Sequence, residues 1–475
     1  MQQKTRKKFV LRLAKLFHML VTVGLFLLYL MQYRGFGLAQ EDLAIYAAGG
    51  LLYVVLFAFL SGTYSAYAIG SSRVSILIYS HGLVLSISSV LAYAVLSLVS
   101  QRFLSPLPTV ILLLAQILWS AAWCLAANRL YFRISPPRRT VVFYGSRDEL
   151  HKLEEIRHFA KKFCITRYVS TAESMETVME ALEGAEVAFL ANVDNETRGL
   201  LAKQCIVKQV QCYILPRVGD LLLVGADQMH TFSVPFLRVQ WATPSTGYLF
   251  VKRAFDIFAS LIAILLAGPF MLVTALLIKL YDGGPVLYRQ VRLTKDGKEF
   301  KVLKFRSMRV DAEKDGVARL ASENDDRITP VGKIIRKIRF DELPQLFNIL
   351  RGDMTIVGPR PERPEIAAQY EKEIPSFGLR LQVKAGLTGY AQIYGRYNTE
   401  PLDKLKMDLI YINNMSVAED LKLMFATVKI LFLSESTEGV AEGQVTASHA
   451  EAELPAGGSA EADAPAEQDK ELQNV

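Results

Sequence analysis

Four apolar stretches near the N-terminus decide what this chain can become: residues 16–31, 43–60, 74–99 and 108–127. At about 1.5 Å per residue, each crosses or nearly crosses a hydrocarbon core of about 30 Å. A membrane protein opening with four transmembrane helices is therefore expected. The first stretch is short but extends back through Phe9 and Leu11. Its basic prelude would suit a signal peptide, yet no small-residue cleavage site stands out and three more spans follow. Lys4, Arg6, Lys7 and Lys8 precede the first span, and Arg129, Arg133, Arg138 and Arg139 follow the fourth. An even number of spans with basic flanks places both ends in the cytoplasm. His81, alone in its span, reads as a packed structural residue rather than a proton relay.

The 475 residues leave room for about three structural units. After a membrane unit over 1–131, Pro136-Pro137 opens a segment over 136–248 in which strand-like runs (140–145, 166–170, 186–192, 211–216) alternate with helix-like ones (148–163, 173–182, 195–207). That alternation predicts a small parallel α/β layer with a Rossmann-like order. Tyr144-Gly145-Ser146-Arg147-Asp148 holds one glycine where a dinucleotide fingerprint needs three, so a regulatory or spacer role is expected there. Cys124, Cys164, Cys205 and Cys212 lack metal-type spacing and read as reduced structural thiols. From Val440 the chain is rich in Ala, Glu, Gly and Pro, so 440–475 is expected to be a disordered acidic tail. The tail holds eight acidic residues and one lysine; the net charge of +7 therefore becomes +14 on the rest. Such a basic excess suits an anionic membrane surface or phosphorylated substrates, and no nucleic-acid motif accompanies it.

A second apolar stretch, 254–280, is interrupted in its middle by Gly268-Pro269 and has cations on both sides: Lys252 and Arg253, Lys279 and Arg289. Proline breaks or kinks a helix, and neither end prefers the outer face. A re-entrant helix–break–helix that returns to the cytoplasmic side satisfies both facts; a kinked spanning helix is the other reading. It opens a mixed α/β unit over 250–436.

Within that unit stands Arg336-Lys337-Ile338-Arg339-Phe340-Asp341-Glu342-Leu343-Pro344. Pro344 fits only a first helical turn, so Asp341 and Glu342 lie at or just before a helix N-terminus. Two adjacent carboxylates among arginines suit a phosphate and metal centre. Taken alone, the same residues read rather as an N-cap and a first-turn acid. Their company is Gly358-Pro359-Arg360-Pro361-Glu362-Arg363-Pro364, which presents an arginine between prolines as a preorganised phosphate donor. Lys304 and Arg306 in Lys304-Phe305-Arg306-Ser307-Met308, together with Arg289 and Arg292, add cations. Lys384-Ala385-Gly386-Leu387-Thr388-Gly389 adds a glycine-containing loop. Together they would line a site for a polyanion beside a membrane.

These blocks, with Lys252-Arg253-Ala254-Phe255-Asp256 and Asp282-Gly283-Gly284-Pro285-Val286, resemble in order the catalytic domain of the polyprenyl-phosphate glycosyl-1-phosphate transferases, the bacterial sugar transferase family. The four preceding spans and the α/β segment are similar to the larger members. The resemblance implies that Asp341 is the nucleophile on the β-phosphorus of a UDP-sugar, releasing UMP and leaving a covalent sugar-phosphate. It implies Glu342 as the Mg²⁺ ligand, Arg336 and Arg360 as phosphate contacts with Pro359 and Pro361 holding the latter, and Pro269 as the break of the re-entrant helix. The family often has serine before that proline, where this chain has Gly268, so no serine hydroxyl acts in the break.

The expected function is transfer of a hexose-1-phosphate to polyprenyl (undecaprenyl) phosphate at the bacterial inner membrane, starting a lipid-linked surface polysaccharide. A covalent intermediate suits it, because two polyanions repel and the first can leave before the second arrives. The expected partners are the UDP-sugar, the polyprenyl phosphate and the membrane, with a homo-oligomer and downstream glycosyltransferases in addition. Three other readings stay open: a non-catalytic assembly or regulatory protein of the same fold, a glycosyltransferase releasing UDP, and a transporter, although the four spans hold no charged pathway.

Overall fold

The apolar stretches fold into helices α1 (Gln2–Tyr33), α2 (Leu43–Thr63), α3 (Val74–Val99) and α4 (Leu107–Ile134) of a computed structural model. Described are residues 2–33, 43–99, 101, 103–145, 162–231, 234–310, 312, 325, 327–395 and 399–431; the acidic tail and most of the helix expected over 148–163 lie outside them. By length and composition α1, α3 and α4 are long and apolar enough to cross a membrane, and α2 is apolar along its 21 residues. Much of the bundle's interior comes from α2. Tyr53 stacks on Phe26 with ring centroids 3.8 Å apart, and Phe57 and Leu60 are fully buried. Leu28, Leu51, Leu98 and Leu118 face outward, as lipid-facing positions do. Some of the polar groups inside bond across the bundle: His18 bonds the Tyr67 hydroxyl (2.9 Å) and Ser120 (3.0 Å), and Gln116 donates to the Thr22 carbonyl (2.9 Å). His81 is fully buried with Nδ1 3.0 Å from the Leu77 carbonyl, a packed residue.

The alternating segment forms β1 (Arg138–Tyr144), β2 (Phe163–Ser170), α5 (Met175–Glu180), β3 (Val187–Ala191), α6 (Asn195–Val207) and β4 (Gln211–Ile214). The strands make one parallel sheet in the order β2-β1-β3-β4. Val141, Phe143, Val169, Ala188 and Leu190 form its core with Leu201 and Cys205 of α6. Then come α7 (Val218–Val224) and an antiparallel hairpin, β5 (Asp227–Thr231) and β6 (Val234–Arg238), which the sequence reading had not anticipated. Leu221 of α7 belongs to the core of the next unit.

That unit begins with α8 (Thr246–Asp282), 37 residues and apolar enough to span. All 37 residues are helical, Gly268 and Pro269 included, so the break expected from the sequence is at most a kink inside one helix. Proline removes one backbone bond there, and that is where a helix bends. Both ends of α8 meet the same body of protein. Near its start, buried Asp256 accepts from the Thr355 hydroxyl (2.7 Å) and the Ile356 amide (3.0 Å). Near its end, Met271 and Ile278 pack on Phe305 and Ile335, and Asp282 pairs with Arg306. Leu261, Leu265, Phe270, Leu272 and Leu276 are exposed along it.

Against α8 fold the antiparallel hairpin β7 (Leu287–Leu293) and β8 (Glu299–Phe305), then α9 (Pro330–Lys337), α10 (Gln345–Arg351), β9 (Thr355–Val357) and α11 (Pro364–Glu373). The chain continues with β10 (Gly386–Thr388), parallel to β9, and with α12 (Tyr390–Tyr394), α13 (Pro401–Asn413) and α14 (Val417–Leu431). Phe425 of α14 meets Phe59 of α2 edge-on at 6.0 Å, so this last helix docks on the N-terminal bundle.

Candidate active site

Thr329 caps α9, its hydroxyl accepting from the Gly332 amide at 2.9 Å, with Pro330 in the first turn. The helix stops before Arg339, whose backbone is left-handed (φ 58°). A non-glycine residue there costs about 1–3 kcal/mol and persists only where the surroundings enforce it. It turns the chain into a short 3-10 segment, Phe340–Glu342, directly ahead of Pro344 at the start of α10. The two carboxylates thus stand just before a helix, as Pro344 had indicated. Phe340 packs edge-on against Phe270, the residue after Pro269, at 6.5 Å. The carboxylate turn therefore rests on the middle of the apolar helix α8.

Glu342 is 12% exposed, and one of its oxygens receives both Lys304 Nζ (3.1 Å) and Arg360 Nη2 (2.8 Å). Burial opposes its charge, but Arg360, Lys304 and Arg339 outweigh burial and hold the carboxyl well below the usual range. The neighbouring Asp341 shifts the other way. Burial and the charge of Glu342 raise it, while Lys304, Arg336 and Arg339 oppose the rise. Two adjacent acids thus have their proton affinities pushed apart, the arrangement of a site with divided roles.

The turn that carries Arg360 is held from behind. The Gly358 amide donates to the Thr388 carbonyl and the Gly386 amide to the Pro359 carbonyl, both at 2.8 Å. These strands approach so closely that a Cβ on Gly358 would lie 2.5 Å from the Lys384 carbonyl oxygen. The glycine-containing loop of the sequence is thus a backbone support for the turn that carries Arg360. Arg380, 3% exposed, donates to the Arg360 carbonyl (2.9 Å) and pairs with buried Asp408 (2.7 Å). Arg292 donates to the Pro361 carbonyl (3.0 Å), so it too braces the turn.

The structure thus brings Asp341, Glu342, Lys304 and Arg360 together, with Arg336 near enough to bias Asp341. Pro359 and Pro361 flank Arg360 in the braced turn, and Pro269 precedes Phe270, the α8 residue that meets Phe340 of the carboxylate turn. Arg306 is placed differently. It lies beyond the end of β8 and pairs with Asp282, so its charge is used at the C-terminal end of α8 and not on the carboxylates. Arg380 and Asp408 went unnoticed in the sequence. Their one signal is a charge set among apolar neighbours: Leu379 and Leu381 for Arg380, Met407 and Leu409 for Asp408.

A magnesium ion takes one or two carboxylates and fills its remaining positions with water and phosphate oxygens. Asp341 and an ionised Glu342 offer that donor set, so the residues present fit such an ion. Among the described residues no group of three or more His, Cys, Asp or Glu forms an all-protein cage.

With this geometry in place, comparison with known proteins becomes specific. The bacterial sugar transferase family model matches residues 247–434. The exopolysaccharide production protein PSS of Rhizobium leguminosarum bv. phaseoli is 44% identical over 202 residues, 40% of this chain and 98% of that protein. The chain belongs to the bacterial sugar transferase family. It is also similar to two longer proteins of related description. The UDP-N-acetylgalactosamine-undecaprenyl-phosphate N-acetylgalactosaminephosphotransferase of Aeromonas hydrophila is 40% identical over 254 residues, 52% of this chain and 58% of that protein. The UDP-glucose:undecaprenyl-phosphate glucose-1-phosphate transferase of Escherichia coli K12 is 45% identical over 221 residues, 45% of this chain and 47% of that protein. The match to this sugar transferase therefore spans about half the length of each of these two relatives. All the site residues of this family member lie inside the matched region.

Proposed function

We propose that the chain transfers a hexose-1-phosphate from a UDP-sugar to polyprenyl phosphate, undecaprenyl phosphate in bacteria, and so starts a lipid-linked surface polysaccharide. The observation that carries this reading is the carboxylate turn itself. Asp341 stands beside a buried Glu342 held by Lys304 and Arg360, and the turn rests through Phe340 on a helix with an exposed apolar side. A polyanion site at the surface of a membrane-embedded helix suits two substrates of which one is a lipid phosphate.

In the first step a carboxylate oxygen of Asp341 bonds to the β-phosphorus of the donor. The bond from that phosphorus to the bridging oxygen breaks, and UMP leaves with the electron pair. In the second, a phosphate oxygen of the polyprenyl carrier attacks the same phosphorus. The aspartyl bond breaks, and Asp341 returns as a carboxylate. Burial of Asp341 weakens its solvation and so favours attack by the ionised form. Arg360 and Arg336 offset the charge of the donor's phosphates. Glu342 would hold Mg²⁺, which when bound supplies further charge neutralisation on the diphosphate. Both flanks of α8 are held by the catalytic unit, which favours a helix that enters and returns to one side. Since nucleotide sugars are made in the cytoplasm, that side is the cytoplasmic face of the inner membrane.

The test is to mix purified protein, Mg²⁺, polyprenyl phosphate and a panel of UDP-hexoses, and to identify the nucleotide released. UMP with one donor is the expected result and names the sugar. UDP would mean direct glycosyl transfer, and the absence of either nucleotide would favour a non-catalytic member.

A further inference from the structure

The start of α8 carries three charged residues, Lys252, Arg253 and Asp256, that none of the proposed steps uses. All three reach the elements bearing the reactive groups. Arg253 donates to the Ile349 (2.6 Å) and Leu350 (2.8 Å) carbonyls at the end of α10, the helix that follows the carboxylate turn. Asp256 accepts from Thr355 and Ile356 of β9. Lys252 Nζ, 13% exposed, reaches three oxygens: the Val357 carbonyl (3.0 Å), the Tyr411 hydroxyl (3.2 Å) and Asp420 (2.8 Å).

The protons can be assigned. A tyrosine hydroxyl has one hydrogen, and the buried Asp420 carboxylate is the better acceptor. Tyr411 (2.8 Å) and Tyr248 (2.8 Å) therefore both donate to Asp420. The Tyr411 oxygen also lies 3.0 Å from the Val357 carbonyl, but with its one hydrogen given to Asp420 a lysine N–H serves that carbonyl. That carbonyl ends β9 three residues before Arg360, and the Gly358 amide that follows is already committed to Thr388. Asp420 belongs to α14, the helix docked on the N-terminal bundle through Phe425. One ammonium group thus joins the membrane helix, the bundle-docked helix and the root of the arginine turn.

We infer that Lys252 is a positioning residue for Arg360: by bonding the Val357 carbonyl from α8 and the Asp420 carboxylate from α14, it sets where the arginine stands relative to the carboxylates on the membrane helix. The inference rests on the proposed function for its chemical readout but not for its structural one. Misplacement of a catalytic group by about 1 Å costs up to roughly 100-fold in rate. A residue that acts through another shows that coupling as non-additivity.

Two measurements test it on the full-length protein in detergent or nanodiscs. Hydrogen exchange over 357–363 needs no substrate. Lys252→Met should speed exchange there while leaving the β7–β8 hairpin unchanged; unchanged exchange over 357–363 overturns the inference. The second is a double-mutant cycle on the rate of UMP release. Lys252→Met should cost roughly 10- to 100-fold in the parent chain, and in the Arg336→Ala background as well. In the Arg360→Ala background it should cost less than about twofold, because the group it positions is gone. An equal loss in both arginine backgrounds would show a general structural role and overturn the inference. Should Lys252→Met fail to fold, Tyr411→Phe enters the same two measurements, since it loosens the same cluster without stranding a charge. A parent chain that releases no UMP while exchange still rises would count against the proposed reaction and leave the positioning of the turn standing.

Discussion

Glu342 and Asp341 are adjacent in sequence and opposite in electrostatic character, and that contrast has consequences for pH. In the proposed first step Asp341 attacks as the carboxylate, and burial with the charge of Glu342 raises its pKa above the ordinary aspartate value. The rate of UMP release at saturating donor should therefore climb with rising pH and level off at a higher pH than an unperturbed aspartate would give. A profile that is flat down to the ordinary aspartate value would contradict this. For Glu342 the linkage runs the other way. Its folded pKa is lowered, so its contribution to stability is present above the unfolded value of about 4.3 and is lost as pH falls through the lowered one. Arg360 is the donor closest to Glu342, and Arg360→Ala should reduce UMP release by roughly 100- to 1000-fold in steady-state assays. Arg360→Lys should recover little of this, because a lysine lacks the planar fork.

At the scale of elements, α8 is the part on which the account of membrane placement depends. If both its ends lie on one side, cysteines introduced as Phe250→Cys and Tyr281→Cys, at two exposed positions, should both resist an impermeant thiol reagent in intact cells and both react after permeabilisation. Labelling of one alone in intact cells would mean that α8 spans. Pro269 shows why sequence was an incomplete guide here. A proline in the middle of an apolar stretch announces a lost backbone bond, but not whether the helix then breaks or continues. The carboxylate turn was legible because Pro344 permits only a helix start after it. Arg306 was not, since Lys304 and Arg306 stand two apart and alternation along a strand puts both on one face. β8 ends at Phe305, and past that point alternation no longer holds, which frees Arg306 to turn to Asp282. Arg380 and Asp408 were invisible for another reason. Their pairing joins residues 28 positions apart, and one chain without its fold offers no signal for such a partner.

For the molecule as a whole, the bundle, the parallel sheet and the catalytic unit are tied by packing rather than by the chain alone. Leu221 after the sheet sits in the catalytic core, and Phe425 near the end of the described chain sits on the bundle. A chain with its four native cysteines replaced and carrying Phe59→Cys with Phe425→Cys should be joined within one molecule by a short bifunctional maleimide. No intramolecular product would contradict the docking of α14 on α2. The apolar runs foretold the bundle, and the alternation of strand-like and helix-like runs foretold the sheet, but neither foretold this docking. Phe425 is one of many apolar residues in its helix, and its partner is 366 residues away. The central claim, that a sugar phosphate is carried on Asp341, is tested most directly by intact-protein mass spectrometry after incubation with the donor and Mg²⁺ and without lipid acceptor. The account predicts a mass gain of one hexose phosphate, mapped to Asp341 and lost in Asp341→Asn; UMP release from the parent chain with no adduct, or with an adduct on another residue, would contradict it.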